Sequence, residues 1–122
     1  MKKYLIFALL LPCLLLACQQ DNQYKEKIIG QWQVDKWLVG KERTEKQSLT
    51  AIFNFQPGGQ YDVDYTTQKE VGTYRIAGSK LYTTEEGQME KMVKITRLTA
   101  DTMVFEKNRA GQFEVLILLK QK

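Results

Sequence analysis

The segment Phe53-Asn54-Phe55-Gln56-Pro57-Gly58-Gly59-Gln60-Tyr61-Asp62-Val63-Asp64-Tyr65 decides the fold. Proline presets φ at the start of a turn, and the glycines after it can take positive φ, so Pro57-Gly58-Gly59 predicts a tight reversal. On both sides of it, large apolar residues alternate with polar ones, which is the period of a strand with one buried face. The segment therefore predicts an antiparallel hairpin.

The remaining sequence continues this pattern, with short stretches rich in Val, Ile, Thr, Phe and Tyr between turn residues. The connections are too short for crossovers, so consecutive strands should be antiparallel neighbours. The sequence thus predicts an all-β fold, an eight-stranded antiparallel up-and-down barrel that leaves no free edge. The predicted strands are 30–39, 49–55, 60–66, 70–76, 80–84, 89–98, 102–107 and 113–120.

Strand alternation also predicts which side chains face the barrel interior. An eight-stranded barrel is wide enough either to be filled by side chains or to hold one small ligand. The bulk of the candidate residues favours a filled interior. Asp62 and Asp64 fall on the opposite face and should be solvated rather than form a catalytic carboxylate pair. The large candidates for the interior are Phe53, Phe55, Tyr61, Tyr65, Tyr74, Val93, Ile95, Met103 and Phe105.

The last predicted strand differs from the others, because Val115-Leu116-Ile117-Leu118-Leu119 is apolar on both faces. Something must cover its outer side, since exposed apolar strands aggregate. The alternatives are the N-terminal turn around Ile28 and Ile29, a second copy of the domain, or a partner protein. We favour the N-terminal turn.

Composition argues against most enzyme and metal-site hypotheses. The chain has no His, so the usual general base and a common metal ligand are missing. Ser48 and Ser79 have no evident base to activate them. We therefore expect no catalytic site, no metal and no cofactor. Basic and acidic residues number 18 and 14 and are interspersed, which gives no electrostatic footprint for nucleic acid.

The N-terminus resembles a bacterial lipoprotein signal. Lys2 and Lys3 precede an apolar run, Leu5–Leu16, that is shorter than the roughly 20 residues of a membrane-spanning helix. Leu15-Leu16-Ala17-Cys18 then resembles a lipobox. Cys13 is the competing site, but it follows Pro12 where a small, flexible residue is required.

This resemblance implies cleavage after Ala17 and a lipid anchor on Cys18, which would hold the protein on a membrane of the cell envelope. Gln19, in place of an aspartate after the cysteine, favours the outer membrane. Residues 1–17 are then the signal peptide, 18–28 the lipidated cysteine and its tether, and 29–122 the barrel domain. Cys13 leaves with the signal and Cys18 carries lipid, so packing alone must stabilise the domain.

Gly30-Gln31-Trp32, at the start of the first strand, resembles the Gly-x-Trp motif of lipocalins and the wider calycin group. Residues 95–104 are similar to a strand corner of small lipocalin-like lipoproteins from Bacteroidetes. The resemblance implies that Gly30 and Trp32 close one end of the barrel, with Lys120 or Lys122 packed on the indole. It also implies a binding function, for which the expected ligand contacts are Phe53, Phe55, Tyr61, Tyr65, Tyr74 and Phe105.

Two further features have alternative interpretations. Trp37 lies five residues after Trp32, so it should face outward unless a bulge intervenes. Asp101-Thr102-Met103 resembles an O-glycosylation acceptor motif of Bacteroidetes, with Thr102 modified, but we prefer a local role for Asp101 in shaping the turn.

Two functions remain open. The first is a lipid-anchored binding module for a small apolar ligand or an envelope protein. The second is a packed barrel that serves as an accessory or inhibitor subunit of an envelope protein.

Overall fold

The computed structural model describes residues 23–45 and 50–122. The predicted signal peptide, Cys18 and the first part of the predicted tether lie outside the described residues, as do Ser48 and Leu49. Within the described part, a short helix, α1 (23–28), precedes nine strands. The strands are β1 (Gly30–Val39), β2 (Thr44–Glu45), β3 (Ala51–Phe55), β4 (Gln60–Tyr65), β5 (Lys69–Ala77), β6 (Lys80–Glu85), β7 (Lys91–Leu98), β8 (Thr102–Arg109) and β9 (Gln112–Lys120).

Eight of these strands form a closed antiparallel barrel. From β3 to β9 each strand pairs with the next in sequence, β1 pairs with β3, and β1 also pairs with β9. The all-β, up-and-down barrel predicted from the sequence is therefore confirmed. Strand β2 was not predicted, because two residues are too few for a pattern; it pairs with Leu38 and Val39 at the end of β1.

The β3–β4 hairpin has the predicted geometry. Phe55 lies opposite Tyr61, and the Gln56 amide donates to the Gln60 carbonyl at 2.9 Å. Gly58 and Gly59 take φ values of 96° and 87°, which favour glycine. Asp64 is exposed on the outer face, as predicted, whereas Asp62 is half-buried there and accepts a hydrogen bond from Asn54 Nδ2 at 3.4 Å.

A β-bulge in β1 turns Trp37 toward the interior. The register against β9 shifts between Val34 and Lys36, so one extra residue is accommodated there. Trp32 and Trp37, which would face opposite sides of a regular strand, then both pack against the core. Trp37 is consequently half-buried inside the barrel rather than exposed on its surface.

Helix α1 packs against one end of the barrel. Ile28, which the sequence analysis placed at the end of the tether, is fully buried in the core, because the helix turns this side chain toward Trp32. Gln23, Tyr24 and Lys27 lie beside Leu98, at the end of β7. Among residues 23–45 and 50–122, no helix has the length and apolar character needed to span a membrane.

The outer side of β9 is covered only in part. Leu116 and Leu118 face the core, whereas Leu119 remains 41% exposed. The preference for the N-terminal turn around Ile28 and Ile29 as this cover is wrong for Ile28, which packs into the core instead. Val115, on the outer side, is nevertheless buried.

Candidate functional site in the open half of the barrel

The side chains that face the barrel interior change from apolar at one end to polar at the other. One end, which we call the closed end, contains α1, Trp32 and Leu98; the other, the open end, contains the β8–β9 turn. Because inward positions recur every second residue, each strand shows the change directly. Going from the closed to the open end, the inward positions are Met103, Phe105 and Lys107 on β8, Leu118, Leu116 and Glu114 on β9, and Ile76, Tyr74, Gly72 and Glu70 on β5.

The open half contains a cavity of about 540 Å³. This volume lies within the range of roughly 300–1,000 Å³ found for small-molecule sites. Its wall is apolar in the lower part and polar near the mouth. The expectation of a completely filled interior is therefore wrong for this half of the barrel. The lining residues are Phe53, Tyr65, Glu70, Leu81, Thr83, Lys91, Met92, Val93, Phe105, Lys107, Asn108 and Leu116.

Aromatic side chains form the floor of the cavity. The Phe53 and Phe105 rings meet edge to face with centroids 6.1 Å apart, and Phe53 stacks on Phe55 at 6.0 Å. Phe55 and Tyr61 are buried, with 1% and 2% exposure. These contacts give the cavity a rigid apolar base.

The structure divides the six expected ligand contacts into three groups. Phe53, Tyr65 and Phe105 line the cavity. Phe55 and Tyr61 are absent from the lining and support the floor from below. Tyr74 lies against Phe55, with ring centroids 5.1 Å apart, and its hydroxyl donates to the Gln56 carbonyl at 2.7 Å. It therefore packs on the β3–β4 turn, away from the cavity.

Glu70 is the central polar group of the cavity wall. It lies opposite Val63 on β4, so Tyr61 and Tyr65 are its diagonal neighbours on the inner face. The Tyr61 hydroxyl donates to Glu70 Oε2 at 2.6 Å, and Tyr65 lies close enough for the Glu70 charge to raise the pKa of its hydroxyl. Neither of the two ion pairs found among the described residues includes Glu70.

Both tyrosines stay protonated well above neutral pH. Burial is the main cause and raises the pKa of Tyr65 to about 12, with further contributions from the charge and hydrogen bond of Glu70 and from the Glu85 charge. Burial followed by the hydrogen bond to Glu70 raises the pKa of Tyr61 still further, although a hydrogen bond with Thr83 acts in the opposite direction. The Tyr61 hydroxyl proton is thus held by Glu70.

Lysines occupy the other side of the mouth. Lys107 Nζ lies 3.3 Å from Glu114 Oε2, and the two residues are directly paired between β8 and β9. Glu114 is only 4% exposed, so its charge needs this partner. Lys91 is exposed at the start of β7. The mouth therefore contains charges of both signs.

The closed end has the arrangement that the Gly-x-Trp resemblance implies. Lys120 Nζ lies 4.7 Å from the centroid of the Trp32 ring and donates to the Ile29 carbonyl, while Trp32 Nε1 donates to the Ile28 carbonyl at 2.8 Å. A Cβ at Gly30 would lie 2.7 Å from Lys120 Cε. Glycine at position 30 thus lets Lys120, rather than Lys122, seal this end.

Comparison with protein families gives a match to the lipocalin-like domain over residues 28–105. The chain belongs to the lipocalin-like family. Its fold is similar to the crystal structure of a lipocalin-like protein from Bacteroides uniformis ATCC 8492, with a TM-score of 0.63 and 15% identity over 78% of this chain and 99% of that one. A second similar structure is an uncharacterized protein from Bacteroides eggerthii DSM 20697, with a TM-score of 0.61 and 14% identity over 76% of this chain and 98% of that one. No curated protein sequence matches this lipocalin-like chain.

Sequence reasoning missed the charged residues of the lipocalin-like cavity. Lys91 and Lys107 each lie two positions from a predicted inward residue, and Glu70 continues the inward alternation of β5. A strict period of two would therefore have placed all three side chains inside the barrel. Charged side chains are normally assigned to the outside, and that rule fails near an open barrel mouth. In the described residues, no group of three or more His, Cys, Asp or Glu could hold a metal ion.

The corner between β7 and β8 shows the predicted local role of Asp101. Hydroxyl groups of Thr99 and Thr102 donate to Asp101 Oδ1 at 2.9 and 3.1 Å, and the Thr102 amide donates to Thr99 Oγ1 at 3.0 Å. These hydroxyl bonds lower the pKa of Asp101. The Asp101 side chain therefore stabilises the turn; glycosylation of Thr102 stays a prediction.

Proposed function

We propose that this lipocalin-like protein is a lipid-anchored binding module of the cell envelope that holds a small, largely apolar ligand in the open half of its barrel. The observation that carries the proposal is the cavity of about 540 Å³ above the Phe53–Phe105 floor. Buried apolar surface contributes roughly 25 cal/mol per Å², so a floor of this kind favours an apolar ligand. Lipocalin-like proteins are typically binding proteins rather than enzymes, which agrees with this function.

Binding can be tested with N-phenyl-1-naphthylamine, a neutral apolar dye whose fluorescence rises in an apolar site. The protein is the mature chain, residues 18–122, carrying Cys18→Ser so that no lipid is attached. Val93→Phe should fill part of the cavity, because Val93 lines it, and should weaken dye binding about ten-fold, which corresponds to about 1.4 kcal/mol. Val71→Phe is the matched control, since Val71 is 43% exposed and absent from the cavity lining. Equal binding by the two variants, or no binding by the parent chain, would contradict the proposal.

The anchor on Cys18 is supported by the lipobox-like sequence alone. Metabolic labelling with an alkyne fatty acid should modify the parent protein and Cys13→Ser, but not Cys18→Ser. Labelling that depends on Cys13 would overturn the assignment. Sucrose-gradient separation of the membranes tests the proposed outer-membrane location in the same cells.

The position of α1 supports an orientation on the membrane. Gln23 lies beside Leu98 at the closed end, and only residues 19–22 separate it from Cys18. Five steps of chain span at most about 18 Å. We propose that the closed end is nearest the membrane and that the cavity opens away from it.

The accessory-subunit function has one observation in its favour. Met89 and Met92, near the β6–β7 turn, are 85% and 47% exposed. Exposed methionines suit an adaptable contact with another protein. A packed barrel, however, would not contain the cavity, so ligand binding is the better supported function.

A further inference from the structure

The polar side chains around Glu70 offer a ligand hydrogen-bond acceptors. The Tyr61 hydroxyl proton is donated to Glu70 Oε2. Thr83, whose hydroxyl lies on the same wall, is close to the Tyr61 hydroxyl. A group that reaches Glu70 therefore meets carboxylate lone pairs, because the Tyr61 proton is already in use.

The charges on this side of the cavity are negative. Glu70 takes part in neither ion pair of the described residues, and the charge of Glu85 acts on Tyr61 and Tyr65 as well. The hydrogen bond from the Tyr61 hydroxyl stabilises the Glu70 carboxylate but does not neutralise it. A carboxylate oxygen accepts more than one hydrogen bond, so Glu70 retains capacity to accept from a ligand.

The lysines at the mouth do not neutralise the negative charge of Glu70. Lys107 is paired with Glu114 at 3.3 Å, so its charge is largely balanced. Lys91 is exposed, where water weakens its attraction for an anion. Glu70, which is half-buried, acts in a less screened environment.

We propose that the cavity selects an amphipathic ligand whose polar end is a hydrogen-bond donor, such as an ammonium or a hydroxyl group, and that Glu70 accepts from it. The inference rests on the proposed function and specifies its ligand class. The apolar part of the ligand lies on Phe53 and Phe105, and its polar end reaches the level of Glu70. A ligand with an anionic end would place two like charges together at Glu70.

The test compares three eight-carbon compounds that differ only in the polar end: octylamine, octan-1-ol and octanoate. Each competes with N-phenyl-1-naphthylamine for the lipid-free mature chain carrying Cys18→Ser at pH 7. Octylamine should displace the dye at a concentration at least ten-fold lower than octanoate, with octan-1-ol between them or equal to the amine. Equal or tighter binding of octanoate overturns the inference while leaving the proposed function intact. Failure of all three compounds and of the dye itself overturns both.

Variants assign the preference to Glu70. Glu70→Gln keeps the shape and one acceptor oxygen, and should reduce the ratio of octylamine to octanoate affinity below three-fold. Glu86→Gln removes the same charge from an exposed turn residue and should leave the ratio unchanged. Thermal melting establishes that each variant is folded. Should Glu70→Gln fail to fold, Lys91→Met provides the second measurement. The inference predicts that this variant still binds octylamine more tightly than octanoate. Octanoate binding that Lys91→Met abolishes would instead show a dominant anion site at Lys91.

Discussion

Gly72→Ala should strongly destabilise the barrel, although a glycine inside a strand usually weakens it. Gly72 has no positive φ, and replacing such a glycine by alanine ordinarily stabilises a protein by about 0.5–1 kcal/mol. Here, however, a Cβ would lie 2.1 Å from the Thr84 carbonyl oxygen, 2.8 Å from its carbon and 2.9 Å from Glu85 Cα. All three atoms belong to the backbone of β6, so no side-chain rotation can relieve the contact.

The expected magnitude follows from the overlap. Overpacking of a well-packed interior costs about 1–3 kcal/mol, and a backbone clash of this size belongs at the upper end. About 3 kcal/mol lowers the melting temperature of a domain of this length by at least about 10 °C. The β5–β6 pairing of Gly72 with Glu85 should open to accommodate the methyl group.

Urea denaturation and thermal melting, followed by tryptophan fluorescence and circular dichroism, measure the effect. Gly87→Ala is the matched control, because Gly87 has a φ of 77° and open space around it. Its cost should be only the left-handed backbone penalty, about 1–2 kcal/mol. A melting temperature of Gly72→Ala at or above that of the parent chain, or a smaller loss than in Gly87→Ala, would refute the steric account.

Three other outcomes follow from the described contacts. Lys120→Met should destabilise the domain by about 1–3 kcal/mol in urea denaturation, because the part-buried Ile29 carbonyl loses its donor. An unchanged midpoint would show that this contact does not seal the closed end. The raised pKa values keep Tyr61 and Tyr65 protonated in the folded protein, whereas these tyrosines ionise near pH 10 in the unfolded chain. The free energy of unfolding that they contribute should therefore be fully present below pH 10 and should fall as the pH rises from about 10 toward 12. A titration of absorbance at 295 nm checks this, and ionisation of all tyrosines near pH 10 in the folded state would contradict it. In vesicles that carry brominated lipids, a fluorophore on Ala100→Cys, at the closed end, should be quenched more than one on Asn108→Cys at the open end, and the reverse order would contradict the proposed orientation.

Much of the fold follows from short-range patterns in the sequence. The β3–β4 hairpin could be predicted because proline and glycine fix the turn and the flanking side chains alternate without interruption. Trp37 could not be placed with certainty, because a bulge shifts the alternation by one residue and leaves no mark in the sequence. Ile28 was placed at the end of the tether and expected, with Ile29, to cover the last strand, because the sequence does not show that α1 turns this side chain into the core.

The site was predictable only in outline. Phe53, Tyr65 and Phe105 were expected to face the interior and do line the cavity. Whether eight strands enclose a filled core or a cavity depends on how side chains of the two halves meet in three dimensions, which the alternation does not specify. Glu70 was missed for a related reason, because its inward position is stabilised by the Tyr61 hydroxyl that reaches it from β4.

The central claim, that the barrel holds a small ligand in its open half, is tested most directly by native mass spectrometry of the mature protein extracted in detergent from its own membranes. Comparison with the same sample after denaturation separates a bound molecule from covalent lipid. The account predicts a small-molecule mass that accompanies the folded protein, disappears on unfolding and is missing from Val93→Phe but present in Val71→Phe. A folded protein without such a mass, together with failure to bind N-phenyl-1-naphthylamine, would contradict it.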